Sequence, residues 1–334
     1  MMREEFGRTV EGEIVERATI RGGGLTASVI TFGAALQDLR LEGHQPPLVL
    51  GFREFAHYRD HSPYFGATAG RCANRIAGAR FALDGREYRT DANFLERHTL
   101  HGGSKGVGKR NWRIGALEPH RVVLTLTDPD KAMGFPGTCR FEVEYELKEG
   151  GVLEVAMKGE TTKATPVSLA HHSYFNLDGG EDILDHRLRI EAAAFLPVDA
   201  ELIPTGEVRL VAGTPHDFRL SRPIRRSAGE TVHDHNFCLA AARRPLSEAA
   251  EVASDRSGIT MTVATTEPGL QFYAGHKLDT PVAGLTGRRY GAFAGLCLEP
   301  QMWPDAVHHP HFPSPILRPG EVYRQATQYR FARG

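Results

Sequence analysis

Glu299 is the carboxylate whose surroundings point most directly to chemistry. It closes the apolar run at residues 294–298, which reads as a buried strand. A carboxyl at the end of such a strand loses hydration. Burial then lifts its pKa toward the range in which a general base works near neutral pH. Two other stretches hold unusual company. Residues 170–177 place His171, His172, Ser173, Tyr174, Phe175 and Asn176 in succession, mixing polar and aromatic groups in a way a plain core strand avoids. In residues 66–76, small residues that let backbones approach are followed by the polar pair Asn74 and Arg75. Leu100-His101-Gly102-Gly103 adds a further imidazole beside two glycines. Imidazole and carboxylate are the residue types of general acid–base catalysis.

Other motifs fail on inspection. Residues 103–109 match the first seven positions of a phosphate-binding loop, G-x-x-x-x-G-K, but Arg110 stands where the magnesium-holding Ser or Thr belongs. The string reads as a surface loop. His233-x-His235 and His309-x-His311 each have a spacing that suits a metal ion on a strand. No carboxylate completes either set, and Pro310 interrupts the second, so no metal is expected. There is no Gly-x-Ser-x-Gly elbow for a serine nucleophile. The four cysteines, Cys72, Cys139, Cys238 and Cys297, form no Cys-x-x-Cys pair and read as buried thiols.

The elements that must position these side chains are strands. The 334 residues include 36 Gly and 20 Pro, too many turn-formers along the length for a mostly helical protein. At residues 139–147, Cys139, Phe141, Val143, Tyr145 and Leu147 alternate with charged residues, the period of a half-buried strand. Asp84-Gly85 and Gly150-Gly151 sit where tight hairpins require positive φ. Further strands are expected at 27–31, 36–41, 121–127, 188–192, 258–265 and 270–274. The only helical candidate is short, at 246–254. No repeat or linker divides the chain, so residues 1–334 read as one large antiparallel all-β sandwich. Lys+Arg is 40 and Asp+Glu is 41, a formal net charge of −1, which argues against a nucleic-acid or polybasic membrane-surface partner. The first residues lack a signal-peptide pattern and no run spans a membrane, so a cytoplasmic location is expected.

Taken in order, the clusters resemble the aldose 1-epimerase (galactose mutarotase) family. The landmarks run over some 250 residues. They begin with Gly70-Arg71, Asn74-Arg75-Ile76-Ala77-Gly78 and Leu100-His101-Gly102-Gly103 with Trp112. Next come Gly134-Phe135-Pro136-Gly137, the stretch from His172 to Leu177, and Asp234-His235-Asn236-Phe237. Gln271-Phe272-Tyr273, Leu298-Glu299-Pro300-Gln301 with Pro304-Asp305-Ala306, and the stretch from Pro315 to Glu321 complete them.

The resemblance implies the family's large antiparallel β-sandwich, the galactose mutarotase-like supersandwich. It implies His172 as general acid and Glu299 as general base for interconverting the α and β anomers of a free sugar. Asn74, Arg75, His101, Asp234 and Gln271 fall at its sugar-binding positions, and no cofactor is required. Two departures stand out: His171 where the family commonly has Asn, and Pro300 where a small residue is common. Both bear on the shape of the sugar site. Free His and Glu, at about 6.5 and 4.3, need only modest tuning for the reaction. Phe175, Phe272 and Trp303 are candidates either for an apolar floor under the sugar or for the core. Two alternatives remain on the same fold. A hexose-6-phosphate 1-epimerase would need extra cations such as Arg71, and a silent carbohydrate-binding protein would lose the acid or the base.

Overall fold

The computed structural model describes residues 1–225 and 232–334. Strands dominate it, and every strand pair within its sheets is antiparallel. The alternating segment forms the strand Cys139–Lys148, with the expected residues buried and their neighbours turned outward. It pairs with Arg121–Asp128 on one side and Val152–Thr161 on the other, near the start of a nine-stranded sheet. Asp84 and Gly85 take φ of 50° and 74° in a two-residue turn, and Gly150 and Gly151 take 79° and 72° in the three-residue loop between the paired Lys148 and Val152.

A six-stranded sheet lies against the large one. Its order runs Tyr174–Phe175, Leu296–Gln301, Gly269–Tyr273, Asp234–Cys238, Ala194–Phe195, Arg209–Leu210. Strand alternation divides its faces. Phe175, Leu270, Phe272, Leu296 and Leu298 join Val143, Val155, Val263 and Tyr329 of the nine-stranded sheet in one core. The alternate residues Gln271, Tyr273 and Glu299 face the other way, into a cleft. A four-stranded sheet, from Met2–Arg8 to Ala35–Leu41, supplies Ile20, Ala27 and Val29 to the same core.

Two expectations need correction. Residues 246–254 are not helical: Ser247–Ser254 is a strand between Ile259–Thr265 and Arg187–Ile190. Its alanines favour a helix, but tertiary context overrides that propensity, since pairing buries Ala249, Ala250 and Val252 in the core. The α-helix is instead Phe55–His61, which sets Phe55 and Tyr58 inward three residues apart. The four cysteines are unpaired, but Cys238 is half-buried where the others are buried. Among the described residues no helix is long and apolar enough to cross a membrane.

Candidate active site

The register of two neighbouring strands builds the floor. Gln271 of Gly269–Tyr273 pairs directly with Glu299 of Leu296–Gln301, so their side chains leave the sheet side by side on the cleft face. One strand further, Asp234 pairs with Tyr273, and its Oδ1 accepts from Gln271 Nε2 at 2.7 Å. His172 arrives from the opposite wall. The strand Ala170–His172 pairs with Ala67–Ala69, placing His172 against Ala67.

The remaining wall is a pair of left-handed residues. Asn74 has φ 61° and His101 φ 51°. The two are tied reciprocally: His101 N–H donates to the Asn74 carbonyl at 2.9 Å, and Asn74 N–H donates to His101 Nδ1 at 3.2 Å. That bond makes Nδ1 the acceptor and leaves Nε2 to carry the proton of a neutral ring. Gly102 is obligatory here: at φ 80°, a Cβ on it would lie 2.2 Å from the Gly70 carbonyl oxygen. Arg75 donates to Asn74 Oδ1 at 3.3 Å, and its other terminal nitrogen lies 3.6 Å from Asp234 Oδ2. Asp305 braces this wall from behind, accepting from Ala77 N–H at 2.9 Å.

All seven residues predicted to form the site (Asn74, Arg75, His101, His172, Asp234, Gln271 and Glu299) line one cleft of about 260 Å³. Its aromatic walls are not the three residues left open between sugar floor and core. Phe175, Phe272 and Trp303 are core residues, whereas Tyr64, Phe94, Tyr174 and Tyr273 border the cleft together with Lys277. Strand parity was the available signal: Tyr273 lies two residues from Gln271 on the same face, and Phe272 is necessarily on the other. Tyr64 and Phe94 sit in loops, where no periodicity marks them. Phe94 covers the Arg75 guanidinium, its ring centroid 4.8 Å away.

The two departures from the family pattern fall outside the cleft. His171 alternates away from His172 and meets Tyr145 Oη at 3.3 Å and Ser173 Oγ at 2.8 Å. Pro300 turns to the core side, opposite Leu270. Arg71, the cation a phosphate reading would need, is buried against Asp128, with contacts of 2.6 and 3.0 Å, and donates to the carbonyls of Pro136 and Gly137. It pins the loop that carries Gly134-Phe135-Pro136-Gly137 and is not among the residues lining the cleft.

Electrostatics set the site's character. His172 Nε2 lies 3.6 Å from Glu299 Oε1, both side chains almost fully buried. Burial lowers His172 to about 4, with Lys109 adding to the effect. Burial, helped by the Asp234 carboxylate, raises Glu299 well above the ordinary glutamate value. The tuning is therefore larger than modest: it disfavours the His172 imidazolium by about 3 kcal/mol. Both shifts favour the neutral form of the contact over the ion pair. Burial also lowers His101 well below 6.5, with His172, Arg75 and Lys109 contributing. Glu299 Oε2 and Arg75 Nε are buried without a hydrogen-bond partner. Buried polar atoms are nearly always satisfied, so these two mark places where a bound molecule would bond.

His172, Cys297 and Glu299 bring one ligand atom each within 4.8 Å of one another, the one such group among the described residues. A cation held there would occupy the lone pairs of His172 and Glu299 that proton transfer needs. Of the two histidine pairs singled out in the sequence, His309 lies with Nε2 3.6 Å from Asp305 Oδ2.

Residues 16–330 match the family model described as aldose 1-epimerase. The chain is 41% identical to the galactose mutarotase of Homo sapiens over 99% of this chain and 98% of that one. It is 35% identical to the aldose 1-epimerase of Escherichia coli K12, covering 99% of each. Among solved structures, an aldose epimerase homologue from C. elegans superposes with a TM-score of 0.89 at 31% identity, over 95% of this chain and 99% of that one. A galactose 1-epimerase from Lactobacillus acidophilus gives 0.86 at 25% identity, over 100% and 98%.

Proposed function

The chain belongs to the aldose 1-epimerase family and is an enzyme of that class; on this premise we propose that His172 and Glu299 interconvert the α and β anomers of free aldoses by shared proton transfer. The observation that carries the assignment is the buried pair itself, 3.6 Å apart in the lining of a sugar-sized cleft, with Glu299 Oε2 unpartnered.

The reaction opens the ring and recloses it on the other face of the carbonyl. Glu299 as carboxylate takes the proton of the C1 hydroxyl, and His172 as imidazolium gives one to the ring oxygen. The C1–O5 bond breaks, the aldehyde forms, and both side chains are left neutral. Rotation about C1–C2 presents the other face. Closure reverses both transfers, so the pair holds one proton throughout. The neutral arrangement that burial favours is the one that accompanies the open chain. Desolvation therefore lowers the energy of the intermediate relative to the ring-closed, ionic arrangement. Each positioned transfer typically contributes about 10²–10⁴-fold.

Neutral His101 offers Nε2–H to a sugar oxygen. Arg75 supplies fixed donors that hold their charge at every working pH. Asp234 and Gln271 bond the hydroxyls farther round the ring. Polarimetry tests the reading: freshly dissolved α-D-glucose or α-D-galactose loses its excess rotation faster with the enzyme. His172→Ala and Glu299→Gln abolish most of that acceleration. Full activity in either variant overturns the assignment.

A further inference from the structure

The string Gly103–Lys109 resembles a phosphate loop only in outline, and its glycines serve close packing against the site. A Cβ at Gly106 would lie 2.5 Å from the His101 carbonyl oxygen and 2.7 Å from that of Gly70, and one at Gly108 would lie 2.8 Å from that of Thr68. The loop is thereby pressed onto the strand Ala67–Ala69 that holds His172 in place. It ends at Lys109, whose Nζ donates to the Ser62 carbonyl at 3.0 Å and lies 4.4 Å from the centroid of the Tyr64 ring. Tyr64 is held in the left-handed region at φ 68°, an uncommon conformation for a bulky side chain and one that marks a local demand. Its ring stacks on His172 at 5.9 Å and 25°, and meets His101 at 4.7 Å. Lysine, tyrosine and the two imidazoles thus form one contiguous stack.

We propose that Lys109 is a positioning residue for the acid–base pair: its ammonium, seated on the Tyr64 ring, fixes that ring against His172 and His101. The inference rests on the proposed mutarotase reading. The charge matters because the stack is poorly hydrated, where a cation acts over longer range than in water. A neutral His101 keeps Nδ1 free to accept from Asn74. A neutral His172 keeps the pair at one shared proton. The other charged or titratable groups facing the imidazoles are Asp234 and Glu299, Arg75, Cys297 and Tyr174. Burial brings Lys109 itself down to about 8, so it remains a cation through the neutral range.

The test is the pH profile of kcat/KM for glucose mutarotation in wild type, Lys109→Met, Lys109→Gln and Lys109→Arg. Lys109→Gln keeps a donor for the Ser62 carbonyl, which guards against simple loss of the loop. In both neutral variants the acid limb moves up by about one pH unit, so the deficit against wild type grows about twofold from pH 7 to pH 5 and about fivefold by pH 4. Lys109→Arg restores the wild-type limb. A uniform loss with an unmoved limb, or an arginine variant that behaves as the neutral ones do, overturns the proposal. If the wild type itself does not accelerate mutarotation, the underlying reading has failed instead.

Discussion

Glu299 and Gln271 are direct cross-strand partners, and that register, rather than any single residue, builds the cleft floor. It places a carboxyl with no protein partner for Oε2 beside an amide anchored on Asp234. The carboxyl then faces His172 at 3.6 Å. Glu299, Gln271 and Asp234 thus share one sheet, while His172 comes from a separate strand pair, an arrangement that fixes geometry from two sides.

Removing either member of the pair should cost about 10²–10⁴-fold in kcat. Because the two act on one shared proton, the double variant His172→Ala/Glu299→Gln should be little worse than the poorer single variant. Stopped-flow polarimetry of the three variants checks this. Multiplying losses would show that the residues act independently.

The wild-type pH profile should be broad. The pair gains a second proton only when His172 is protonated, at about 4. Below that, no base remains, since Glu299 is already neutral. On the alkaline side activity falls when the shared proton leaves, above the ordinary glutamate range because burial raises Glu299. kcat/KM should therefore be level from about pH 5 up to the raised Glu299 step. An acid limb at about 6.5, the value of a free histidine, would contradict the buried, neutral His172.

His171 should govern acid stability without touching the sugar. Burial lowers it to about 3, so the folded ring stays neutral while the unfolded one takes up a proton below about pH 6.5. Stability from this group is present above 6.5 and is lost as pH falls toward 3. Between pH 6.5 and 4.5 the loss is about 2–3 kcal/mol. His171→Asn removes that titration, so urea unfolding at pH 7 and pH 4.5 should differ less in the variant by about that amount. Equal losses in both proteins would refute it.

Asp128 should matter for folding and not for the sugar. Asp128→Ala strands the buried Arg71 cation and also removes the 2.7 Å partner of Arg110. Truncating one side of a buried pair costs about 3–5 kcal/mol. Denaturant melts should show that loss, with KM for glucose unchanged in the folded enzyme. A KM shift with intact stability would mean that this pair reaches the sugar.

Much of this was legible in the sequence, for stateable reasons. The alternation at 139–147 and the two positive-φ hairpins follow from backbone period and turn sterics, and the strands formed there. Asn74, Arg75, His101, His172 and Glu299 lie in short segments whose composition conflicts with core packing, whereas Asp234 and Gln271 were reached only through the family resemblance; all seven meet in one cleft. Phe175, Phe272 and Trp303 show the limit, because an aromatic in a strand has no face until register is known. Tyr64, Phe94 and Lys109 show another, since loop residues reach the site through long-range contacts that no local pattern encodes. The size of the His172 and Glu299 shifts was equally hidden, being set by burial from several sheets at once.

The most direct measurement is the decay of optical rotation of fresh α-D-glucose at pH 7, with wild type and with Glu299→Gln at equal concentration. Proton transfer by the His172–Glu299 pair requires acceleration by the wild type, no change in the final equilibrium rotation, and a rate about 10²-fold or more lower in the variant. Equal acceleration by both proteins, or none by the wild type, would contradict it.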